Sequence, residues 1–148
     1  MNDYVDYASF VALIDDDEHS AHLLTRTLVA QGARGVQCYG DGVAALQRVK
    51  AVLSDPSASQ PALIVLDLKA HSDANLEFLT ATQHLMAQSG VPVLVLAPML
   101  EEHKRRALLE NGAAAVFCRH ADRDAYRGVA GDIVEFWAQT LRPVAVGM

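Results

Sequence analysis

The stretch Ala62–Leu66 reads Ala-Leu-Ile-Val-Leu, and an aspartate, Asp67, follows it at once. A short, wholly apolar run of this kind is typical of a strand in a parallel sheet that is covered on both faces. A similar stretch, Phe10–Ile14, runs directly into three aspartates at positions 15–17. Two buried strands that each end in acids predict an α/β protein with charged groups at one edge of its sheet.

The same pattern of a short apolar run and a longer segment with helical spacing occurs five times along the chain. The three other strands are expected at Gly35–Tyr39, Val93–Leu96 and Ala114–Cys118. The helices are expected at about residues 18–31, 42–53, 75–88, 101–110 and 122–141. Five such units with right-handed crossovers favour a flavodoxin-like (βα)5 doubly wound sheet, and the common five-stranded version of that sheet has the strand order 2-1-3-4-5.

The length of 148 residues, with 51% hydrophobic residues, allows one domain with a sizeable core. We expect an N-terminal extension at residues 1–9, the domain at residues 10–141 and a C-terminal tail at residues 142–148. The start carries acids and tyrosines instead of a basic segment, so no signal peptide is expected. No apolar run is long enough for a membrane span.

The charge balance, 18 acidic against 12 basic residues, gives a net charge of −6 and argues against binding to nucleic-acid phosphates. The two cysteines, Cys38 and Cys118, fall on predicted strands 2 and 5 at opposite sheet edges, roughly 19 Å apart. That separation excludes an internal disulfide. Two lone cysteines in such a chain indicate a cytoplasmic protein.

Asp15, Asp16 and Asp67 follow strands 1 and 3, which are neighbours in the predicted order, so they should meet where such sheets bind ligands. Two unit charges 4 Å apart cost about 4 kcal/mol at an effective dielectric near 20, so packed carboxylates need protons or a cation. Oxygen ligands of this kind suit Mg²⁺. Asp17 is the alternative ligand if the register slips by one, and it is also a plausible helix N-cap. For residues 15–18 alone, an acidic helix cap explains the pattern as well.

At these residues the chain resembles the CheY-like receiver domains of two-component response regulators, from Phe10 to Leu141. The resemblance implies that Asp67 accepts a phosphoryl group from a sensor histidine kinase or a phosphotransfer protein. It implies that Asp15, Asp16 and Asp67 hold Mg²⁺, with the backbone carbonyl of Lys69 as a further ligand. It also implies a signalling protein that acts through protein contacts and is not an enzyme.

The chain departs from the family's pattern at several positions. Ala97 stands where the family has Ser or Thr, Val116 where it has an aromatic residue, and Arg119 where it has Lys. Three loop and helix positions that are usually Pro, Gly and Pro are occupied by His71, Asn75 and His120. A missing hydroxyl removes a hydrogen bond worth about 1.5–3 kcal/mol. Ala97 and Val116 therefore favour a degenerate receiver that acts without phosphorylation, whereas the acids and Arg119 favour a phosphoacceptor.

Two alternatives concern Lys69. Its ammonium group, two residues after Asp67, either reaches the acidic cluster and partly replaces a metal ion or points into solvent. A small phosphatase with an aspartate nucleophile is only a minor alternative. Such an enzyme needs a second acid two residues after the nucleophile, and this chain has Lys69 there.

Weaker motifs resemble stand-alone receivers that pair with bacterial phytochrome kinases. They are Asp41–Ala45 at the start of helix 2, and Phe136 and Trp137 in the last helix before Pro143. This resemblance implies a homodimer formed through the last helices, with Phe136 and Trp137 at the interface. Core packing is the alternative explanation of the apolar stripe in that helix.

Overall fold

Five parallel strands form a single sheet in the order β2-β1-β3-β4-β5, which confirms the predicted fold. The computed structural model describes residues 10–33, 35–119 and 123–146, with side chains in the last range from 127 to 139. The strands are β1 (Val11–Asp15), β2 (Val36–Gly40), β3 (Leu63–Asp67), β4 (Val93–Ala97) and β5 (Ala113–Cys118). Both β1 and β3 are buried along their whole length, as their apolar sequences predict.

The helices that connect and follow the strands are α1 (Glu18–Ala30), α2 (Gly42–Leu53), α3 (Ala74–Ser89), α4 (Glu102–Glu110) and α5 (Arg123–Val146). Most of their ends lie within a residue of the predicted ones. The exception is α5, which continues past the predicted end at Leu141, so residues 142–146 of the predicted tail are helical. Pro143 lies inside this last turn and a half, where its missing N–H costs the helix one hydrogen bond without ending it.

Two layers of helices cover the sheet. Alternate residues of each strand point to opposite faces, so Ile64 and Leu66 of β3 pack under α2, α3 and α4. Leu63 and Val65 pack under α1 and α5, together with Leu24, Ile133 and Trp137, among others. The packed layers hold the strand ends in fixed positions relative to one another, which sets the geometry of the edge described below.

Local signals in the sequence begin and end several of the helices. Asp17 is the N-cap of α1, as predicted, and its carboxylate accepts a hydrogen bond from the His19 N–H at 3.0 Å. Asp41 caps α2 in the same way through the Ala44 N–H at 3.0 Å. Gly90 ends α3 in the left-handed conformation, with φ of 73°, which suits a residue without a side chain.

The outer strands β2 and β5 carry the two free cysteines, Cys38 and Cys118, at opposite edges of the sheet as predicted. Within the described ranges, no helix has both the length and the apolar content needed to cross a bilayer.

Candidate functional site

The carboxyl ends of β1 and β3 bring two buried aspartates side by side. Asp15 and Asp67 are the last residues of these strands and are paired in the parallel register. The Asp67 side chain has no exposed surface, and that of Asp15 is 1% exposed. The structure therefore brings together Asp15 and Asp67, two of the three acids predicted to meet at the switch point of the sheet, and each strand ends one residue later than expected.

Lys69 reaches into this pair of carboxylates. Its Nζ lies 2.6 Å from Asp15 Oδ1 and 3.0 Å from Asp67 Oδ2, and it donates a hydrogen bond to the Asp67 backbone carbonyl at 3.1 Å. The Lys69 side chain is 22% exposed. Of the two alternatives for this residue, the structure therefore shows the one in which the ammonium group joins the acidic cluster.

Arg119 supplies a second cation at the same aspartate. Its Nε donates a hydrogen bond to Asp67 Oδ1 at 2.8 Å, while its backbone N–H donates to the Ala97 carbonyl at 2.6 Å. Each oxygen of the Asp67 carboxylate thus faces its own side-chain cation. The contact of Oδ2 with Lys69 has the distance of an ion pair without the angles of a hydrogen bond. The two carboxylates of Asp15 and Asp67 are balanced in charge by Lys69 and Arg119.

Asp16 faces backbone groups. Its carboxylate accepts hydrogen bonds from the Lys69 N–H at 2.9 and 3.0 Å and from the Ala70 N–H at 2.8 Å. These bonds anchor the loop that follows β3 to the loop that follows β1.

Asp15 is held by its own neighbours as well as by Lys69. Its Oδ2 accepts from the Ser20 hydroxyl at 2.8 Å, and its Oδ1 accepts from the Asp17 N–H at 2.9 Å. Asp17, the alternative ligand, caps α1 instead and is exposed.

Burial dominates the titration of Asp67. Loss of hydration raises the pKa of this carboxyl above its ordinary value, and the neighbouring Lys69 and Arg119 lower it only in part. The negative charge of Asp15 adds to the rise. The ionised form of Asp67 is therefore costly in the folded protein, in spite of its two cationic partners.

A magnesium ion does not fit this arrangement of the predicted ligands. The Lys69 ammonium lies between Asp15 and Asp67, and Asp16 is engaged by backbone N–H groups. In the part of the chain that the structure describes, no three His, Cys, Asp or Glu side chains are grouped so that they could hold a metal ion. The oxygen atoms expected to bind Mg²⁺ are thus present but already paired with groups of the protein.

Asn75 is a structural residue of the site whose role the sequence did not reveal. It is buried at the start of α3, where its Oδ1 accepts from the Leu68 N–H at 2.9 Å. Its Nδ2 donates to the Leu96 carbonyl at 3.2 Å. The side chain therefore ties the segment after β3 to the end of β4. Two sequence signals point to Asn75: it stands where the family has Gly, and it is a polar residue at a position of α3 where the helical spacing places buried residues.

The end of β4 carries no polar side chain. Ala97 is 2% exposed and lines a cleft of about 430 Å³ between α3 and α4, together with Leu68, Leu108 and Arg119. Val116 is half-buried on β5 and packs against the core beneath α2, α3 and α4. Neither residue offers a hydroxyl or an aromatic ring to Asp67.

Of the two histidines singled out near this edge, His71 contacts residues outside the acidic cluster. His71 is exposed and its Nε2 lies 3.3 Å from Glu77 Oε1. His120 lies outside the described residues.

Two aromatic residues of the last helix, Phe136 and Trp137, contact other parts of the chain. Trp137 is 9% exposed and belongs to the core beneath α1 and α5, which favours core packing over an interface role for this residue. Phe136 is half-buried and its ring meets Phe117 edge to face, with centroids 6.4 Å apart.

No protein-family model and no curated protein matches the sequence. Solved structures match the fold: the phosphorylated cyanobacterial phytochrome response regulator RcpA is 22% identical, with a TM-score of 0.71 over 89% of this chain and 95% of its own. The Mn²⁺-bound form of the response regulator Rcp1 is 20% identical, with a TM-score of 0.69 over 87% of this chain and 94% of its own. A response regulator receiver domain from Rhodospirillum rubrum is 16% identical, with a TM-score of 0.71 over 87% and 93% of the two chains. The chain thus has the fold of response regulator receiver domains.

Proposed function

We propose that this protein is a receiver-fold signalling module of the two-component type, which acts through protein contacts and does not depend on phosphorylation of Asp67. One observation carries the proposal. The Asp67 carboxylate has no exposed surface, and each of its oxygens faces a cation of the same chain, Arg119 at 2.8 Å and Lys69 at 3.0 Å.

Phosphoryl transfer to an aspartate requires that one carboxylate oxygen reach the phosphorus in line with the leaving group. Here Oδ1 accepts the Arg119 hydrogen bond and Oδ2 lies against Lys69, so both oxygens are covered. Ala97 at the end of β4 gives no hydroxyl to hold a phosphoryl oxygen. The absence of that hydroxyl, together with Val116, supports a module whose conformation is not set by phosphorylation.

A second candidate function is phosphoryl acceptance on Asp67 from a sensor histidine kinase or a phosphotransfer protein. Arg119 favours it, because its cation lies beside the carboxylate where phosphoryl oxygens would need neutralisation. In that case Asp15, Asp16, Asp67 and the Lys69 carbonyl are the residues that would hold Mg²⁺, after the Lys69 side chain has withdrawn. The ion would offset the charge on the transferring oxygens.

We propose a cytoplasmic location, as the two lone cysteines indicate, and a sensor kinase or a phosphotransfer protein as the partner class. The net charge of −6 argues against nucleic acid as a partner.

A homodimer through α5 stays a prediction, and sedimentation of the intact chain at several concentrations tests it. The phosphatase alternative loses support, because Lys69, at the position of its second acid, pairs with Asp67.

Acetyl phosphate with Mg²⁺, followed by intact mass spectrometry, tests the choice between these functions. We expect no phosphoryl adduct at millimolar reagent, in parallel with a receiver domain of known reactivity as the positive control. An adduct that is present in the wild-type protein and absent in Asp67→Asn contradicts the proposed function and establishes the second. Beryllofluoride binding, followed by fluorine NMR, gives the same distinction without a covalent product.

A further inference from the structure

We propose that the Lys69 ammonium is a tethered cation that takes the place of a divalent metal ion between Asp15 and Asp67. Lys69 is then the residue that determines which cation this pocket accepts. The inference rests on the proposed function in so far as both describe a pocket closed by the protein's own charges. It adds that a single side chain keeps a latent divalent site shut.

The contacts of Lys69 resemble those of a bound cation more than those of a surface lysine. Its Nζ lies within 3.1 Å of three oxygen atoms, which belong to the Asp15 carboxylate, the Asp67 carboxylate and the Asp67 backbone carbonyl. The two carboxylates are almost wholly removed from solvent. The side chain of Lys69 therefore fills the space between two strand ends.

Charge balance explains why the ammonium group is needed there. Without it, the adjacent carboxylates of Asp15 and Asp67 would share Arg119 as their nearby cation, and Arg119 contacts a single oxygen of Asp67. Buried carboxylates that lack compensation bind a proton or a cation. Carboxylate and carbonyl oxygens, with waters completing the shell, suit Mg²⁺ and Mn²⁺.

Asp16 is a positioning residue in this arrangement. Its carboxylate holds the N–H groups of Lys69 and Ala70, which fixes the backbone from which the Lys69 side chain starts. An acid that would otherwise be free to face a metal ion thus directs the competing ammonium group into the pocket.

Calorimetric titration with Mn²⁺ tests the proposal on the full-length protein. We expect weak or no saturable binding by the wild type, and affinity higher by about tenfold or more in Lys69→Ser, where the space and the charge are both released. Lys69→Arg keeps a cation in the pocket, so we expect this variant to bind Mn²⁺ as weakly as the wild type does. Lys50→Ser changes an exposed lysine on α2 and should behave as the wild type. Asp15→Asn combined with Lys69→Ser should lose the gained binding.

Thermal unfolding gives a second readout, because a ligand that binds only the folded state raises the melting temperature. Millimolar Mg²⁺ should raise the melting temperature of Lys69→Ser but not that of the wild type, with NaCl at equal ionic strength as the reference. If Lys69→Ser is unfolded in buffer, Mg²⁺ should restore its folding, and failure to do so counts against the proposal.

The proposal is overturned if the wild type binds Mn²⁺ as tightly as Lys69→Ser, or if Lys69→Ser gains no affinity. Either result leaves the proposed function standing as long as acetyl phosphate gives no adduct on the wild type. The reverse result is also possible to distinguish. If the wild type binds Mn²⁺ only weakly but forms a phosphoryl adduct with acetyl phosphate, the proposed function is contradicted and the proposed role of Lys69 stands.

Discussion

The ends of β1 and β3 differ sharply from the neighbouring end of β4. β1 and β3 end in buried carboxylates that contact Lys69, Arg119 and polar groups. β4 ends in Ala97, beside a cleft of about 430 Å³. A buried charge that loses its partner costs several kcal/mol, whereas an absent hydroxyl beside open space costs little. The comparison teaches that charge balance governs one end of the sheet and simple packing governs the other.

Removal of the Lys69 charge should have the largest effect on this comparison. In Lys69→Met we expect the free energy of unfolding to fall by about 3 kcal/mol, because the buried carboxylates of Asp15 and Asp67 lose their shared partner. Urea unfolding, followed by the fluorescence of the single tryptophan, measures the loss. Lys50→Met, on the surface of α2, should change stability by less than about 0.5 kcal/mol. Equal effects of the two substitutions would show that the cluster is not charge-coupled.

Asn75 connects the end of β3 to the end of β4, so its removal should have the second largest effect on stability. Asn75→Ala leaves the Leu68 N–H and the Leu96 carbonyl without their partner in a buried location. We expect a loss of about 2 kcal/mol in the free energy of unfolding. Thr80→Ala, at an exposed position of the same helix, is the matched control and should be close to neutral. A neutral Asn75→Ala would mean that β3 and β4 do not need this link.

Asp67→Asn should have an effect of opposite sign. We expect it to increase the free energy of unfolding, by less than the two substitutions above decrease it. Burial raises the pKa of Asp67, so the stability that its neutral form gives is fully present below the ordinary carboxyl range and is lost as pH rises through the raised value. At pH 7 the neutral amide should therefore make the protein more stable than the wild type. At pH 3.5 the gain should shrink, because the wild-type carboxyl is itself protonated.

Asp55 provides a control of opposite sign for this pH dependence. Hydrogen bonds from Ser57 lower the pKa of its carboxyl, so its contribution to stability is present above the ordinary range and is lost as pH falls. Asp55→Asn should thus lower stability at pH 7 and have less effect at pH 3.5. If the gain in Asp67→Asn is the same at both pH values, it does not come from the ionisation of Asp67.

Ala97→Thr should have the smallest effect, because the adjacent cleft has room for the added hydroxyl and methyl groups. We expect a change in the free energy of unfolding of less than about 1 kcal/mol. Ala12→Thr, in the middle of the buried strand β1, has no such space and should cost about 1–3 kcal/mol. Equal costs for the two substitutions, measured by urea unfolding, would show that the end of β4 is as tightly packed as the core.

The meeting of Asp15 with Asp67 could be predicted from sequence because β1 and β3 are marked by apolar runs that each lead into acids, and the common order of five βα units places these two strands side by side. Parallel strands end at one edge, so acids that follow two neighbouring strands meet there.

The direction of the Lys69 side chain could not be predicted in the same way. Its flexible stem allows the ammonium group to face water or the carboxylates, and the outcome depends on how deeply Asp15 and Asp67 are buried. The hydrogen-bond partners of the Asp16 carboxylate could not be predicted either, because they are backbone N–H groups of the loop after β3. The extension of α5 past Leu141 was missed because Pro143 usually signals a helix end.

The thiols of Cys38 and Cys118 mark the two outermost strands, on either side of the whole sheet. Paired spin labels on them would measure the width of the five strands in solution, about 19 Å between backbones. Since Cys118 directly precedes Arg119, a label there also senses any movement of that guanidinium group away from Asp67. The native chain therefore carries its own attachment points for observing whether a bound partner loosens the pocket, with no engineered cysteine required.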